Sequence, residues 1–415
     1  MLRAVPGCWL IVLLACGLSR GEETKAPLVE KYLLGERLST GEKALQEHLR
    51  ALPRDDEARF GLGALQFIQA IEQLEQSLHE YGAIGARTRL GQRLPILRIA
   101  VPENPRPKQV AYKDVRRIVQ RLIDDLAVAE RTLVEVKNRD VKLPLHMAQI
   151  RLDLNGDDQR DESESLWKIY AQLNAGANLP KAFTAKQAEA FVITFDYADI
   201  IWLRGYCHLL SAMGEMMLMY DEEDAFNAIA PHVFARPTVD AVPQELFRDD
   251  RFVADIADAV AFIHLMRFPV VEPQRGKVVL DHLREVIRLS QANWDAIEAE
   301  TDDDHEWVPN PAQTGVVPGV RITQEMIKGW REFLAEAEQL VEGKKLIPHW
   351  RLRDDRGINL QRVLTEPREF DAVLWLHGAG VIPYLEKGER TSPATWQRFN
   401  TVFGGQFIGF AFWFN

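Results

Sequence analysis

The sequence predicts an all-α or nearly all-α fold, a bundle-like array of many helices joined by irregular proline-rich connectors, with one short strand at most. Three observations lead there. Val115, Ile118, Leu122, Leu126, Ala129, Leu133 and Val136 recur at intervals of three and four, which lays them along one face of a helix from about Lys113 to Val136. Thr184 with Gln187, and Ser392 ahead of Pro393, are helix-start signatures. Proline or glycine separates most of the other apolar stretches, as helix ends require.

Taken in order, Arg3 and the short apolar run Cys8 to Leu18 read as a signal peptide spanning 1–21, with small residues Ser19 and Gly21 suiting cleavage after Gly21. An alternative reading makes Leu13-Leu14-Ala15-Cys16 a lipoprotein box, with Cys16 as a lipid anchor. Either way an exported chain is expected, periplasmic or extracellular. Gly41 to Tyr81 reads as two or three helices broken at Pro53, with Asp55, Asp56 and Glu57 in the acidic first turn that follows. Pro95, Pro102, Pro105 and Pro107 make Leu90 to Lys108 an extended connector. Val141, Leu143, Leu145 and Met147 alternate, so a short strand is admissible before Asp153. From Thr184 towards Tyr220 the chain reads as one long, centrally buried helical stretch, apolar nearly all round. Further helical patterns cover Asp249 to Leu265, Lys277 to Glu300, Thr323 to Glu342, Pro367 to His377 and Ser392 to about Phe403. The aromatic C-terminus from Phe403 reads as an element docked into the core.

At 415 residues the chain has room for two or three domains, divided here as 22–108, 109–310 and 311–415. With 50 Lys and Arg against 61 Asp and Glu, the net charge of −11 argues against nucleic acid as a partner. No run beyond the N-terminus is apolar enough to predict a membrane span. Cys207 is the one thiol outside the leader, and its apolar neighbours make it a buried small hydrophobe.

The segment Asp153 to Glu164 carries the clearest chemistry. Calcium takes six to eight oxygens, which a loop can supply from alternate residues and one bidentate carboxylate. Positions one, three, five, nine and twelve are Asp153, Asn155, Asp157, Asp161 and Glu164, and Gln159 at seven would offer its backbone carbonyl. These twelve residues resemble an EF-hand loop, and the resemblance implies bound calcium with that ligand set. Two positions depart from the pattern. Asp158 replaces the usual glycine where the chain turns with positive φ, and Arg160 replaces the usual aliphatic, which implies an unpaired site. If a strand rather than a helix enters, the loop belongs with the wider group of calcium loops that carry aspartates at alternate positions.

Weaker patterns complete the reading. Pro53 and Leu62-Gly63 resemble part of a tetratricopeptide repeat over residues 41–81, with Arg59 where the family has an aromatic and no second copy behind it. Arg204, His208 and Glu215 fall within about 40° on one helix face, and with Asp196 and Asp199 they could line an enzyme site or pair with neighbouring helices. The run Thr301 to Glu306 reads as a solvated acidic loop. Leu376-His377-Gly378-Ala379-Gly380 is similar to the oxyanion loop of lipases, yet its partner Gly-x-Ser-x-Gly occurs only in the leader, so His377 reads as the last turn of a helix ending at Gly378. The expected function is an exported calcium-binding helical protein with a structural ion. The alternatives are an extracytoplasmic enzyme or a scaffold holding an unidentified protein through the N-terminal helices.

Overall fold

Several helices in this chain begin where a side-chain oxygen accepts the first free amides, at Asp55, Thr184, Asp196, Thr323, Asn359, Asp371 and Ser392. A computed structural model describes residues 26–84, 101–174, 184–239, 260, 261, 263–316, 321–403, 407, 410 and 411. The leader and most of the Asp249 to Leu265 and Leu90 to Lys108 segments lie outside them. Among the described residues the chain is mostly helical, with only short antiparallel strand pairs.

The N-terminal part is α1 (Glu30–Leu34), α2 (Leu38–Ala51) and α3 (Asp56–Glu80), the last capped by Asp55, whose Oδ1 accepts from the Ala58 amide at 2.9 Å. After the proline-bearing connector comes α4 (Tyr112–Leu133), in the place its periodicity predicts. Leu143–Leu145 forms β1, and α5 (Leu166–Asn174) follows the acidic loop.

The expectation of one helix from Thr184 to Tyr220 is corrected. The capping box of Thr184 and Gln187 opens only the short α6 (Ala185–Glu189). The chain then extends as β2 (Ile193–Phe195), antiparallel to β1 with Leu143 opposite Phe195, before α7 (Tyr197–Met219) restarts on the Asp196 cap. Ile193 and Thr194 are β-branched and give β1 its backbone partners, so the distant pairing outweighs the local apolar pattern.

Next come α8 (Glu223–Val233), β3 (Arg267–Phe268), α9 (Arg275–Ala299) and α10 (Gln324–Val341), the last capped by Thr323. The remainder is β4 (Arg356–Ile358), α11 (Leu360–Thr365), β5 (Phe370–Asp371), α12 (Ala372–His377), β6 (Leu385–Lys387) and α13 (Pro393–Val402). Here too an expectation is corrected: Pro367 to His377 is not all helix, because Phe370 and Asp371 pair with β3 and α12 begins only at the Asp371 cap. His377 does stand in the last turn, ahead of Gly378 at φ +100°.

Four long helices form the frame, each antiparallel to the next. Gly63 of α3 lies against Leu133 of α4, Gly214 of α7 against Ile123, and Glu215 of α7 reaches Arg275 of α9. One apolar cluster runs from Leu33, Leu45 and Leu65 through β1 to Ile150, Leu152, Leu154 and Ile200, so the start and end of the acidic loop are rooted in core. A second cluster holds Trp294 and Trp330, with Phe403 and Phe410 from the aromatic C-terminus docked into it. No helix among the described residues is long and apolar enough to cross a membrane.

Candidate metal centre

The loop from Asp153 to Glu164 is held at both ends by backbone pairing. Arg151 bridges Ser165, the Leu152 amide donates to the Glu164 carbonyl at 3.1 Å, and the Leu166 amide to that of Ile150 at 2.9 Å. The chain enters through a 3-10 turn (Met147–Gln149) and a short extended stretch bridged at Arg151, and it leaves through a second 3-10 turn (Glu162–Glu164) leading into α5. No α-helix enters the loop, so the frame is not helix–loop–helix.

Inside the loop the carboxylates order the backbone. Asp153 Oδ1 accepts from the amides of Gly156 at 2.7 Å and Asp157 at 3.2 Å, and its Oδ2 from that of Asp158 at 3.0 Å. Asn155 Oδ1 accepts from the Asp157 amide at 2.8 Å, and Asp157 Oδ1 from the Gln159 amide at 2.8 Å. Glu164 spans the loop, taking the Leu154 amide on Oε1 at 2.9 Å and the Asp161 amide on Oε2 at 3.2 Å. Gly156 and Asp158 sit at φ +72° and +66°, the left-handed turn expected at the sixth position.

Asp153 and Glu164 are buried, whereas Asp157, Asp158, Gln159 and Asp161 face solvent. Burial pushes the Glu164 carboxyl above its ordinary range, and the charges of Asp153 and Asp157 add to that against the two amide bonds. Among the described residues no three of the loop's carboxylates bring oxygens within 4.8 Å of one another. The structure thus gathers Asp153 and Glu164 at the root of the loop and leaves Asn155, Asp157, Gln159 and Asp161 around its rim. Each carboxylate oxygen bound to an amide keeps further lone-pair capacity for a cation.

Outside the loop, Glu72 and Arg160 supply what the sequence pattern did not signal. Glu72 Oε2 accepts from the Asp153 amide at 2.7 Å and pairs with Arg160 Nη2 at 2.6 Å. Arg160 Nη1 also donates to the carbonyls of Tyr32 and Glu36, at 3.0 and 2.7 Å. Gln76 Nε2 reaches the Asp153 carbonyl at 2.8 Å. The loop is thereby tied to α1 and α3, and it borders an open polar cleft of about 670 Å³ lined also by Gln73, Arg121 and Asn104.

No family model, curated protein or solved structure matches the chain.

A second acidic locus emerges only in three dimensions. Oxygens of Asp196, Glu300 and Glu306 all lie within 4.8 Å of one another. Asp196 caps α7 through the amides of Ala198 and Asp199, while Asp199, fully buried behind it, accepts from the Asp196 amide at 3.0 Å. Glu300 ends α9, and Glu306 turns inward from the acidic run that the sequence reads as solvated. Within that run Asp302 and Asp304 do meet Lys142 at the surface, as a solvated loop would. Burial first, and the Asp196 charge second, push Glu300 up to about 8. Burial likewise raises Glu306 to about 7, and Asp199 far above its ordinary value.

Of the polar groups of α7 named for an enzyme site, Arg204 and Glu215 form ion pairs between helices, while Asp196 and Asp199 belong to the acidic locus. Arg204 pairs with Glu130 at 2.9 Å, and Glu215 with Arg275 at 2.6 Å. His208 lies between Glu130 and His282. Cys207 is buried, and burial raises its thiol out of the reactive range.

Proposed function

We propose that this chain is an exported calcium-binding protein that holds one ion in the Asp153–Glu164 loop, with Asp153, Asn155, Asp157, Asp161 and Glu164 as side-chain ligands and Gln159 as a carbonyl ligand. The role assigned to the ion is structural. It clamps α5 and the helices beyond it to the N-terminal helices, because the loop meets α1 and α3 on one side and runs into α5 on the other. On this reading the loop is one of the calcium loops that need no helix–loop–helix frame, which its non-α-helical entry supports.

One observation carries the reading: the Asp153 carboxylate accepts three amides of its own loop while Asp158 takes φ +66°. Aspartate at that φ costs free energy, and the loop bears that cost while its amides converge on Asp153. A periplasmic or extracellular setting supplies calcium at the millimolar level weak sites need.

Calorimetric titration with calcium tests this. Wild type is expected to bind one ion, Asp153→Ala and Asp157→Ala to lose it, and Asp196→Asn, at the separate acidic locus, to keep it. At about 100 times Kd the ion should stabilise the fold by about 2.7 kcal/mol, visible as a higher Tm. No heat from wild type at millimolar calcium ends the proposal.

A further inference from the structure

The contact between α7 and α9 includes two imidazoles whose nitrogens face one another. His208 Nδ1 and His282 Nδ1 are 2.8 Å apart, with ring centroids at 5.1 Å. On its other side His208 Nε2 lies 3.7 Å from Glu130 Oε1, and Arg204 holds that carboxylate through Nε at 3.0 Å and Nη2 at 2.9 Å. A carboxylate fixed in this way draws the His208 proton to Nε2 and turns the Nδ1 lone pair towards His282. Closing that 3.7 Å gap to hydrogen-bond length would complete the arrangement in which one histidine nitrogen ligates a metal and the other donates to a carboxylate.

We propose that His208 and His282 form a transition-metal site, with zinc the fitting ion, and with Glu285 as third ligand. Two nitrogens bound to one tetrahedral zinc at about 2.05 Å stand about 3.3 Å apart, so the rings need to separate by only about 0.5 Å from their present contact. His282 shifts its proton from Nδ1 to Nε2, so both Nδ1 lone pairs meet the ion and no net proton is released. Glu285 lies three residues beyond His282, on the same face of α9, although its oxygens and the two imidazoles do not all lie within 4.8 Å of one another in the present rotamers. Arg288 grips only its Oε2, at 2.7 Å and 3.0 Å, which leaves Oε1 to ligate after a side-chain rotation. Water completes the shell. Both histidines are partly exposed, so the ion has access from solvent. The site is independent of the calcium loop.

Titration of the untagged full-length chain with Co²⁺, followed by the visible ligand-field absorption of the ion, tests the proposal, with Zn²⁺ calorimetry alongside. Wild type is expected to bind one equivalent with a tetrahedral band that Zn²⁺ abolishes. His208→Ala and His282→Ala each weaken binding at least about tenfold, Glu285→Gln weakens it less, and Asp153→Ala leaves it unchanged. His282→Gln, which keeps a hydrogen-bonding group in the helix contact, controls for folding and must also lose the band. The proposal is overturned if wild type shows no tetrahedral band, or if the His208→Ala/His282→Ala double variant, folded by circular dichroism, binds Co²⁺ as tightly as wild type.

Discussion

Arg160 stands where calcium loops usually carry an aliphatic residue, and the structure gives it different work. Its guanidinium is 4% exposed and meets Glu72, 10% exposed, at 2.6 Å, so this ion pair lies in the interior rather than on the surface. Burial raises the Glu72 carboxyl more than Arg160 and the Asp153 amide pull it down, which marks the pair as one whose attraction falls short of its desolvation. Removing one partner is therefore costly, because the other stays buried and uncompensated. Glu72→Gln is expected to lower the urea unfolding free energy by about 3–5 kcal/mol and to loosen Asp153, whose amide would lose its anionic acceptor. A loss below about 1 kcal/mol would show that water reaches the pair and that the loop is not anchored through it.

Among the elements, α9 meets α11 at a glycine. A Cβ added at Gly276 would lie 1.9 Å from the Leu364 carbonyl oxygen, a backbone atom that cannot rotate away. Gly276→Ala should force the two helices apart and cost about 1–3 kcal/mol in urea unfolding, despite alanine being the better helix former. Neutral behaviour would show that α11 is free to shift. That glycine was not legible in the sequence, since the residue that demands it lies far along the chain. Other features were legible because their causes are local. The helix of Val115 to Leu133 follows from its periodicity, the caps at Thr184 and Ser392 from the chemistry of their oxygens, and the left-handed turn at Asp158 from its place in the loop. The break at Ile193–Phe195 was hidden, because an apolar run looks the same whether it pairs with a distant strand or lines a helix. The anchoring of the loop by Glu72, and the meeting of Asp196 with Glu300 and Glu306, were hidden for the same reason: each joins segments that only tertiary packing brings together.

At the scale of the whole molecule, packing α7 antiparallel to α9 places the Asp196 cap beside the end at Glu300 and confines several carboxyls together. Asp196, Asp199, Glu300 and Glu306 face one another from three segments, with Asp302 and Asp304 nearby and Lys142 as the cation that reaches the rim. Repulsion is avoided by holding protons: Glu300 is raised to about 8 and Glu306 to about 7, against an ordinary glutamate value of 4.5. The folded chain thus binds more protons than the unfolded one between 4.5 and about 8, and stability is lost as pH rises through that window. Glu75, raised to about 7 by burial in α3, acts in the same direction. His282, lowered by burial and by His208, acts oppositely, though only below 6.5. The urea midpoint, measured with chelator present, should therefore fall between about pH 6.5 and about pH 8.5, and Glu300→Gln should remove much of that slope while leaving the part due to Glu75. A midpoint that stays level or rises over the same range would mean that these carboxyls are already ionised in the folded chain and hold no protons there.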